Sequence, residues 1–200
     1  MQIFEYGEKE IEYLKSKDKK LGAAIEKIGM IKRKITPDPF EALVWIIIGQ
    51  QISTKAAETV WNRLFSLLGV ITAESIDKIS LSDIQGCGMT LRKAGYIKGV
   101  ASAAISGEIN FNELYDLSDE EIIKKLSSLN GIGVWTAEML LISSLCRPDV
   151  VSYGDLAIRR GMMKLYSLKE LPKKKFDMYR KRYSPYGSVA SLYLWALSVI

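Results

Sequence analysis

Two glycines one residue apart, and one aspartate further along the chain, are the residues best suited to chemistry on an anionic ligand. Gly131 and Gly133 lie in residues 129–137, between two stretches with helical spacing, and predict a tight hairpin between helices. Its backbone N–H groups, backed by a helix N-terminus, can hold a phosphate. Asp155 stands at the predicted start of another helix. A phosphate grip and one placed carboxylate indicate a protein that holds nucleic acid and acts on it.

Each feature also has a plain structural interpretation. A bare Gly-x-Gly is most often an ordinary turn between packed helices, and a Rossmann-type loop is favoured even less, since no third glycine or preceding strand appears. Asp155 alone is most often an N-cap, because an aspartate side chain accepts a hydrogen bond from the first N–H groups of a helix. The functional interpretation therefore depends on the rest of the sequence.

Composition narrows the classes of chemistry. The chain has 200 residues, 48% of them hydrophobic and 26% charged, which predicts a globular protein with a substantial core. Lysine and arginine number 28 against 23 aspartate and glutamate, so the net charge of +5 permits a polyanionic partner without requiring one. The chain has no histidine, which excludes histidine-based triads and histidine-ligated zinc.

The cysteine count and the hydropathy pattern indicate which metal sites and which cellular location to expect. Cys87 and Cys146 are too few for a four-cysteine iron–sulfur or zinc site, so we expect no metal site from side chains. No apolar run approaches the ~20 residues of a membrane span, and the acidic, mixed N-terminal segment differs from a signal peptide. We expect a soluble intracellular monomer without a membrane partner, cytoplasmic and nucleoid-associated or nuclear.

Helices must position these residues, because nearly every segment has helical spacing. Asp38, Pro39 and Glu41 predict the cap and first turn of a buried central helix. A buried strand is the alternative for the isoleucine run that follows, but no strand partner supports it. The predicted class is all-α, with further helices at residues 53–68, 93–105, 120–128, 134–146, 156–166, 173–183 and 188–200 and a short one ending at Gly86.

An ordered set of segments carries a resemblance to a known family. The segments are LVWIIIGQQIS at 43–53, GMTLRKA at 88–94, LNGIGVWTA at 129–137, DLAIRR at 155–160 and a last motif at 185–195. Together they resemble the helix–hairpin–helix DNA glycosylases, specifically the alkylpurine (3-methyladenine) branch. The resemblance implies two helical lobes with a DNA-binding cleft between them, residues 39–147 bearing the hairpin and residues 1–38 with 148–200 forming the second lobe, Asp155 lying at the junction.

The same resemblance implies the reaction. Such enzymes flip a nucleotide out of double-stranded DNA and hydrolyse the N-glycosidic bond of an alkylated purine, 3-methyladenine above all and also 7-methylguanine. Asp155 matches the catalytic position, where a carboxylate stabilises the positively charged sugar. Relatives that also cut the strand place a lysine where this chain has Trp135, so we expect a monofunctional enzyme. No cofactor is implied, apart from a structural monovalent cation on the hairpin carbonyls.

The remaining site residues also follow from the resemblance. Trp135 and Trp195 match base-pocket positions, and Met139 would lie one turn after Trp135; core packing is the alternative for each. Gln51 matches the wedge that fills the space left by the flipped nucleotide. The other predicted DNA contacts are Gly131, Gly133, Thr136, Gln50, Ser53, Met89, Leu91 and Arg92.

The sequence departs from the family pattern at some positions, and other functions remain as alternatives. Asn130 replaces the proline usual before the first hairpin glycine, and Gly154 precedes the catalytic position where a proline or aspartate is common. One alternative is a glycosylase for deaminated, etheno, oxidised or mismatched bases, which are poorer leaving groups and need contacts that the sequence does not identify. The other is a non-catalytic DNA-binding module, against which the intact Asp155 argues. A protein-binding adaptor is a more distant third.

Overall fold

The computed structural model describes residues 2–200, which are predominantly helical. Its α-helices are α1 (Glu8–Lys17), α2 (Lys19–Ile28), α3 (Pro39–Gly49), α4 (Thr54–Leu68), α5 (Ala73–Lys78), α6 (Leu81–Gly86), α7 (Leu91–Ile105), α8 (Asp119–Leu126), α9 (Val134–Ser143), α10 (Leu156–Tyr166), α11 (Lys173–Tyr183) and α12 (Gly187–Val199). A short 3₁₀ helix spans Asn112–Asp116. Within residues 2–200 there is no β-strand, only an isolated antiparallel bridge between Ile3 and Lys34. The all-α prediction is confirmed.

The chain divides into two compact units. The continuous unit is Thr36–Leu140, and the discontinuous unit joins the described residues up to Ile35 with Leu141–Ile200. Each unit has its own apolar core, with Leu43 and Ile47 fully buried in the continuous unit and Leu14 and Phe176 buried in the discontinuous one.

Helix α3 is the centre of the continuous unit, and its burial explains its uninterrupted apolar sequence. Asp38 caps it by accepting a hydrogen bond from the N–H of Glu41 at 2.7 Å, and Pro39 occupies its first turn. Helices α4 and α7 pack against it. The isoleucine run is therefore helical, as predicted, and α3 ends at Gly49.

In the discontinuous unit, α10 and α12 are in close contact. Gly161 of α10 makes this possible, because a Cβ at that position would lie 1.9 Å from the carbonyl oxygen of Leu194 in α12. Asp155 is the N-cap of α10, and Trp195 follows Leu194 along α12. The close packing of these two helices therefore sets the distance between the Asp155 carboxylate and the Trp195 indole.

A buried polar network anchors the other end of α10. The hydroxyl of Tyr166 donates to Asp18 at 2.6 Å, and the guanidinium of Arg182 donates to the same carboxylate at 3.0 Å. Asp18 also caps α2 by accepting from the N–H of Leu21 at 3.0 Å. Burial raises the pKa of Tyr166, so its hydroxyl stays a donor. Three helices of the unit are thereby held to one carboxylate.

Some predicted helix boundaries were wrong. The helix predicted from residue 93 begins at Leu91, since Thr90 caps it by accepting from the N–H of Lys93 at 3.3 Å. The helix predicted to end at Cys146 stops at Ser143, and Cys146 has a φ of +52°, which no helix accommodates. Over residues 2–200 no helix is both long enough and apolar enough to cross a bilayer.

Candidate functional site

The hairpin region, residues 127–133, connects α8 to α9 in the continuous unit. Gly131 has a φ of +83°, and a Cβ there would lie 2.1 Å from the ring of Tyr96. Ile132 is buried and anchors the loop to the core of the unit. The backbone conformation and the neighbouring ring therefore both require glycine at position 131.

Gly133 differs from Gly131, because the fold does not require it. It is exposed, and a Cβ there would meet no atom within 4 Å. It directly precedes α9, whose first-turn N–H groups have no acceptors within the helix and attract an anion. A glycine at this position leaves the backbone open to close approach by a ligand from solvent, which is the geometry of a phosphate site.

Gln50 contacts both Thr136 and the hairpin backbone. The amide nitrogen of Gln50 donates to the carbonyl oxygen of Gly131 at 3.0 Å and to the hydroxyl oxygen of Thr136 at 3.1 Å. Thr136 is buried and Gln50 is half-buried. One hairpin carbonyl thus accepts a hydrogen bond from a protein side chain, and the monovalent cation that the resemblance implies stays a prediction. Gln50 and Thr136 were both predicted to contact DNA, and in the structure their side chains make hydrogen bonds within the protein.

The α3–α4 turn, residues 50–53, presents Gln51 to solvent. Gln51 has a φ of +58°, a left-handed conformation that residues other than glycine rarely adopt. Ser53 ends the turn by capping α4, its hydroxyl accepting from the N–H of Ala56 at 3.3 Å. The capping interpretation of Ser53 is confirmed, whereas a contact between Ser53 and DNA stays a prediction.

Lys93 forms a basic pair with Arg92 in the sequence, which suggested a phosphate contact and did not indicate the role that the structure shows. Its ammonium group donates to the carbonyl oxygen of Ile48 at 2.8 Å and to that of Gln50. No sequence signal identifies such a residue, because its partners are main-chain carbonyls that any sequence supplies.

The second predicted insertion loop lies at the start of α7. Leu91 is about half exposed, at 53%, whereas Met89 is only partly accessible, and Arg92 is exposed. Leu91 is therefore the better placed of the two apolar side chains to meet a ligand.

Two predicted base-pocket residues lie on α9. Trp135 is half-buried and Met139 is buried, with 9% of its surface exposed. The burial of Met139 favours the core-packing alternative, whereas the partly accessible Trp135 keeps an indole surface that a base can reach. Their roles in a base pocket stay predictions.

The Asp155 cluster, which consists of Asp155, Trp195 and Arg33, lies in the discontinuous unit. Asp155 is 8% exposed and caps α10, its Oδ1 accepting from the N–H of Ile158 at 2.9 Å. The same oxygen accepts from the indole nitrogen of Trp195 at 3.2 Å. The N-cap interpretation of Asp155 is thus confirmed, but the second donor is not part of a capping arrangement. Two donors on Oδ1 fix the orientation of the carboxylate.

Arg33 adds a cation to this cluster, which the sequence did not indicate. Its guanidinium carbon lies 5.2 Å from the centre of the Trp195 ring. Arg33 is exposed as a residue, but partial desolvation lowers the pKa of its guanidinium, and the negative charge of Asp155 opposes that shift. A face of Trp195 beside the carboxylate therefore already holds a positive charge. The negative charge of Asp155 suits a positively charged transition state, whereas the charge of Arg33 opposes a second cation on the same ring.

Comparison with known proteins extends these observations. A family model described as HhH-GPD superfamily base excision DNA repair protein matches residues 44–184. DNA-3-methyladenine glycosylase 1 of Schizosaccharomyces pombe is 37% identical over 166 residues, covering 80% of this chain and 73% of its own length. The residues matched by the family model include both the hairpin region and Asp155.

Solved structures agree over nearly the whole chain. The crystal structure of a DNA-3-methyladenine glycosidase from Bacillus halodurans has a TM-score of 0.84 at 36% identity, covering 99% of this chain and 93% of its own. The 3-methyladenine DNA glycosylase of Schizosaccharomyces pombe, solved in complex with abasic DNA, has a TM-score of 0.88 at 34% identity, covering 96% and 97%.

Proposed function

Because this chain belongs to the HhH-GPD superfamily of base excision DNA repair proteins, we propose that it is a DNA glycosylase that removes alkylated purines from double-stranded DNA. The substrate class is supported by relatives named for 3-methyladenine at 37% and 33% identity. The observation that carries the proposal is the Asp155 cluster, in which an oriented, nearly buried carboxylate receives an indole N–H.

The chemistry follows from the charge of the lesion. A purine alkylated at N3 or N7 is cationic, so it leaves readily with the electron pair of the N-glycosidic bond. The sugar then carries positive charge at C1′, and Asp155 stabilises it. A water molecule adds to C1′ and loses a proton, which leaves an abasic site. Because two donors already orient the carboxylate, little reorganisation accompanies the reaction.

Trp195 has two roles in this proposal. Its indole N–H orients Asp155, and its ring supplies a surface for stacking and cation–π attraction. Arg33 lies 5.2 Å from the centre of that ring, so a cationic base on the ring also meets the positive charge of Arg33.

The hairpin supplies binding rather than chemistry. The exposed backbone at Gly133 and the first turn of α9 hold a DNA phosphate, which positions the protein without reading sequence. Gln51, exposed at the tip of the α3–α4 turn, enters the space left by the flipped nucleotide.

The enzyme is proposed to be monofunctional. A glycosylase that also cuts the strand needs an amine that forms a Schiff base with the sugar. In the lyase relatives that amine belongs to a lysine at the position that Trp135 occupies here, and an indole cannot form a Schiff base.

The test is release of free base from methylated double-stranded DNA. We expect 3-methyladenine in the soluble fraction, and a DNA strand that stays intact until hot alkali cleaves it at the abasic site. Unmethylated DNA is the control. Strand cleavage without alkali would contradict the monofunctional assignment. Salt-dependent binding without base release would leave two explanations, a glycosylase for another lesion or a binding module. Duplexes carrying hypoxanthine or ethenoadenine measure substrate breadth.

A further inference from the structure

The end of α3 is held by a side chain from a different helix. The last carbonyls of an α-helix have no donors within the helix. They form the negative end of the helix dipole, so a cation near them is stabilising. Lys93 of α7 supplies a donor and a positive charge together, since its ammonium group donates to the carbonyl oxygens of Ile48 and Gln50. Lys93 is half-buried, and burial lowers the pKa of its ammonium group. The amine therefore faces the protein rather than a ligand.

The same turn is tied to the hairpin. Gln50 accepts from Lys93 through its main-chain carbonyl and donates through its side-chain amide to Gly131 and Thr136. One residue thus connects α7 to the start of α9. Residues far apart in sequence form this network, since Gln50 and Gly131 are 81 positions apart.

The network ends next to Gln51. A left-handed φ at a residue other than glycine persists only where the surroundings hold it. Lys93 and Gln50 hold the chain immediately before Gln51, and Ser53 holds it two residues later by capping α4. The exposed Gln51 side chain therefore projects from a turn that is fixed on both sides.

We propose that Lys93 and Gln50 are positioning residues, which hold Gln51 in a fixed place relative to the hairpin so that the phosphate grip and the wedge act as one rigid body. The proposal rests on the proposed function, in which the hairpin holds a DNA phosphate and Gln51 enters the DNA duplex. Neither Lys93 nor the side chain of Gln50 touches DNA in it. Gln50 was predicted to be a DNA contact, and its inward hydrogen bonds assign it a different role.

A rigid wedge matters only where a base must be unpaired and unstacked. The test therefore compares the same lesion in a fully paired duplex and in a loop of unpaired bases, under single-turnover conditions with saturating enzyme. We expect Lys93→Met to slow excision from the paired duplex about tenfold and from the loop less than twofold, since small misplacements of positioning groups carry large rate penalties. Gln51→Ala should show the same pattern.

Three further variants separate positioning from other effects. The double variant of Lys93→Met with Gln51→Ala should be no slower on the paired duplex than Gln51→Ala alone, because both remove one function. Lys93→Arg retains the charge and the donors, and should restore most of the rate. Lys98→Met is the matched control, because Lys98 lies on the same helix and its ammonium group likewise donates to two main-chain carbonyls, those of Ile76 at 3.1 Å and Asp77 at 2.8 Å. It should leave the ratio of paired to loop rates unchanged.

A second measurement does not need catalysis. In a duplex carrying a stable abasic analogue opposite 2-aminopurine, entry of the wedge raises the 2-aminopurine fluorescence. The wild type should raise it and Lys93→Met should not, with both proteins bound.

The outcomes are decisive in each direction. An equal loss on paired and loop substrates shows only structural weakening and overturns the proposal, as does an unchanged rate or an unchanged fluorescence response. A wild type that releases no base from either substrate overturns the proposed function, while the fluorescence comparison still decides between a positioned and an unpositioned wedge.

Discussion

The hairpin region presents its backbone at the surface, with an exposed glycine that the fold does not require. In the Asp155 cluster, by contrast, a nearly buried carboxylate accepts hydrogen bonds from two helices. The backbone that the first offers to a ligand comes from neighbours in sequence, although Gln50 and Tyr96 support it from a distance. The second joins Asp155 to Trp195, 40 positions away, and to Arg33 from the N-terminal segment. Two different physical tasks explain the contrast.

Binding a phosphate needs open backbone and a helix N-terminus, which a short motif supplies by itself. Stabilising a charged transition state needs a carboxylate that is oriented before the reaction and shielded from water, which only tertiary packing supplies. Changes at the hairpin should therefore alter stability or affinity, and changes in the Asp155 cluster should alter the rate. The following predictions test that division.

The largest expected effect is on the rate, from Asp155→Asn. Asparagine is a good N-cap and its amide oxygen still accepts from the N–H of Ile158, so the melting temperature should stay within about 1 °C. Loss of the negative charge should slow base release about 10²–10³-fold, the usual cost of removing one preorganised electrostatic contact. Single-turnover excision and thermal unfolding measure the two quantities.

Asp38→Asn is the matched control for this change. Asp38 also caps a helix, accepting from the N–H of Glu41 at 2.7 Å, and it lies in the other unit. The Asp38→Asn variant should release base at the same rate as the wild type. If Asp155→Asn lost stability in proportion to its rate, Asp155 would be only a cap and the division between the two regions would fail.

The same contrast explains what the sequence predicts about the fold. The cap of α3 follows from local chemistry, and the structure confirms Asp38 in that position. The N-terminus of α8 is local in the same way, with a reciprocal Ser118–Glu121 pair. Helices α1, α2 and α5 were not predicted individually. The 3₁₀ helix at Asn112–Asp116 was also missed, because a short turn of this kind carries little periodic signal.

The site follows the same rule. Gly131 is identifiable from sequence because its turn is local, whereas Lys93 and Arg33 are not. The partners of Lys93 are carbonyl oxygens 45 and 43 positions away, and the partner of Arg33 is a ring near the C-terminus. Trp195 was identified only through a family resemblance, since an indole in an apolar helix otherwise predicts core packing.

The second largest effect should be on stability, from Gly131→Ala. The new Cβ would lie 2.1 Å from the Tyr96 ring at a φ of +83°, so the free energy of unfolding should fall by about 2–4 kcal/mol. Gly69→Ala is the control, because its φ of +75° carries the backbone cost with no atom near the Cβ, and it should lose only about 1 kcal/mol. Denaturant unfolding measures both. Equal losses would show that the Tyr96 ring moves aside.

Gly133→Ala should show the opposite behaviour at the same hairpin. No atom lies near the new Cβ, so stability should be unchanged, but the methyl group would obstruct a phosphate approaching the backbone. We expect affinity for undamaged duplex to fall about tenfold, the scale of one lost charge-assisted hydrogen bond. Fluorescence anisotropy measures it, with the equally open Gly99→Ala as control. Unchanged affinity would remove the hairpin from the DNA interface.

The smallest effect should be on selectivity, from Arg33→Met. This change removes the cation 5.2 Å from the Trp195 ring while keeping a long side chain. A cationic base on that ring would then escape repulsion between unit charges, so release of 7-methylguanine relative to hypoxanthine should rise about threefold, as expected for partly solvated charges. Arg33→Lys retains the charge and should keep the wild-type ratio. If Arg33→Met instead lowered release of both bases equally, Arg33 would support the orientation of Trp195 and Asp155 rather than the choice between lesions.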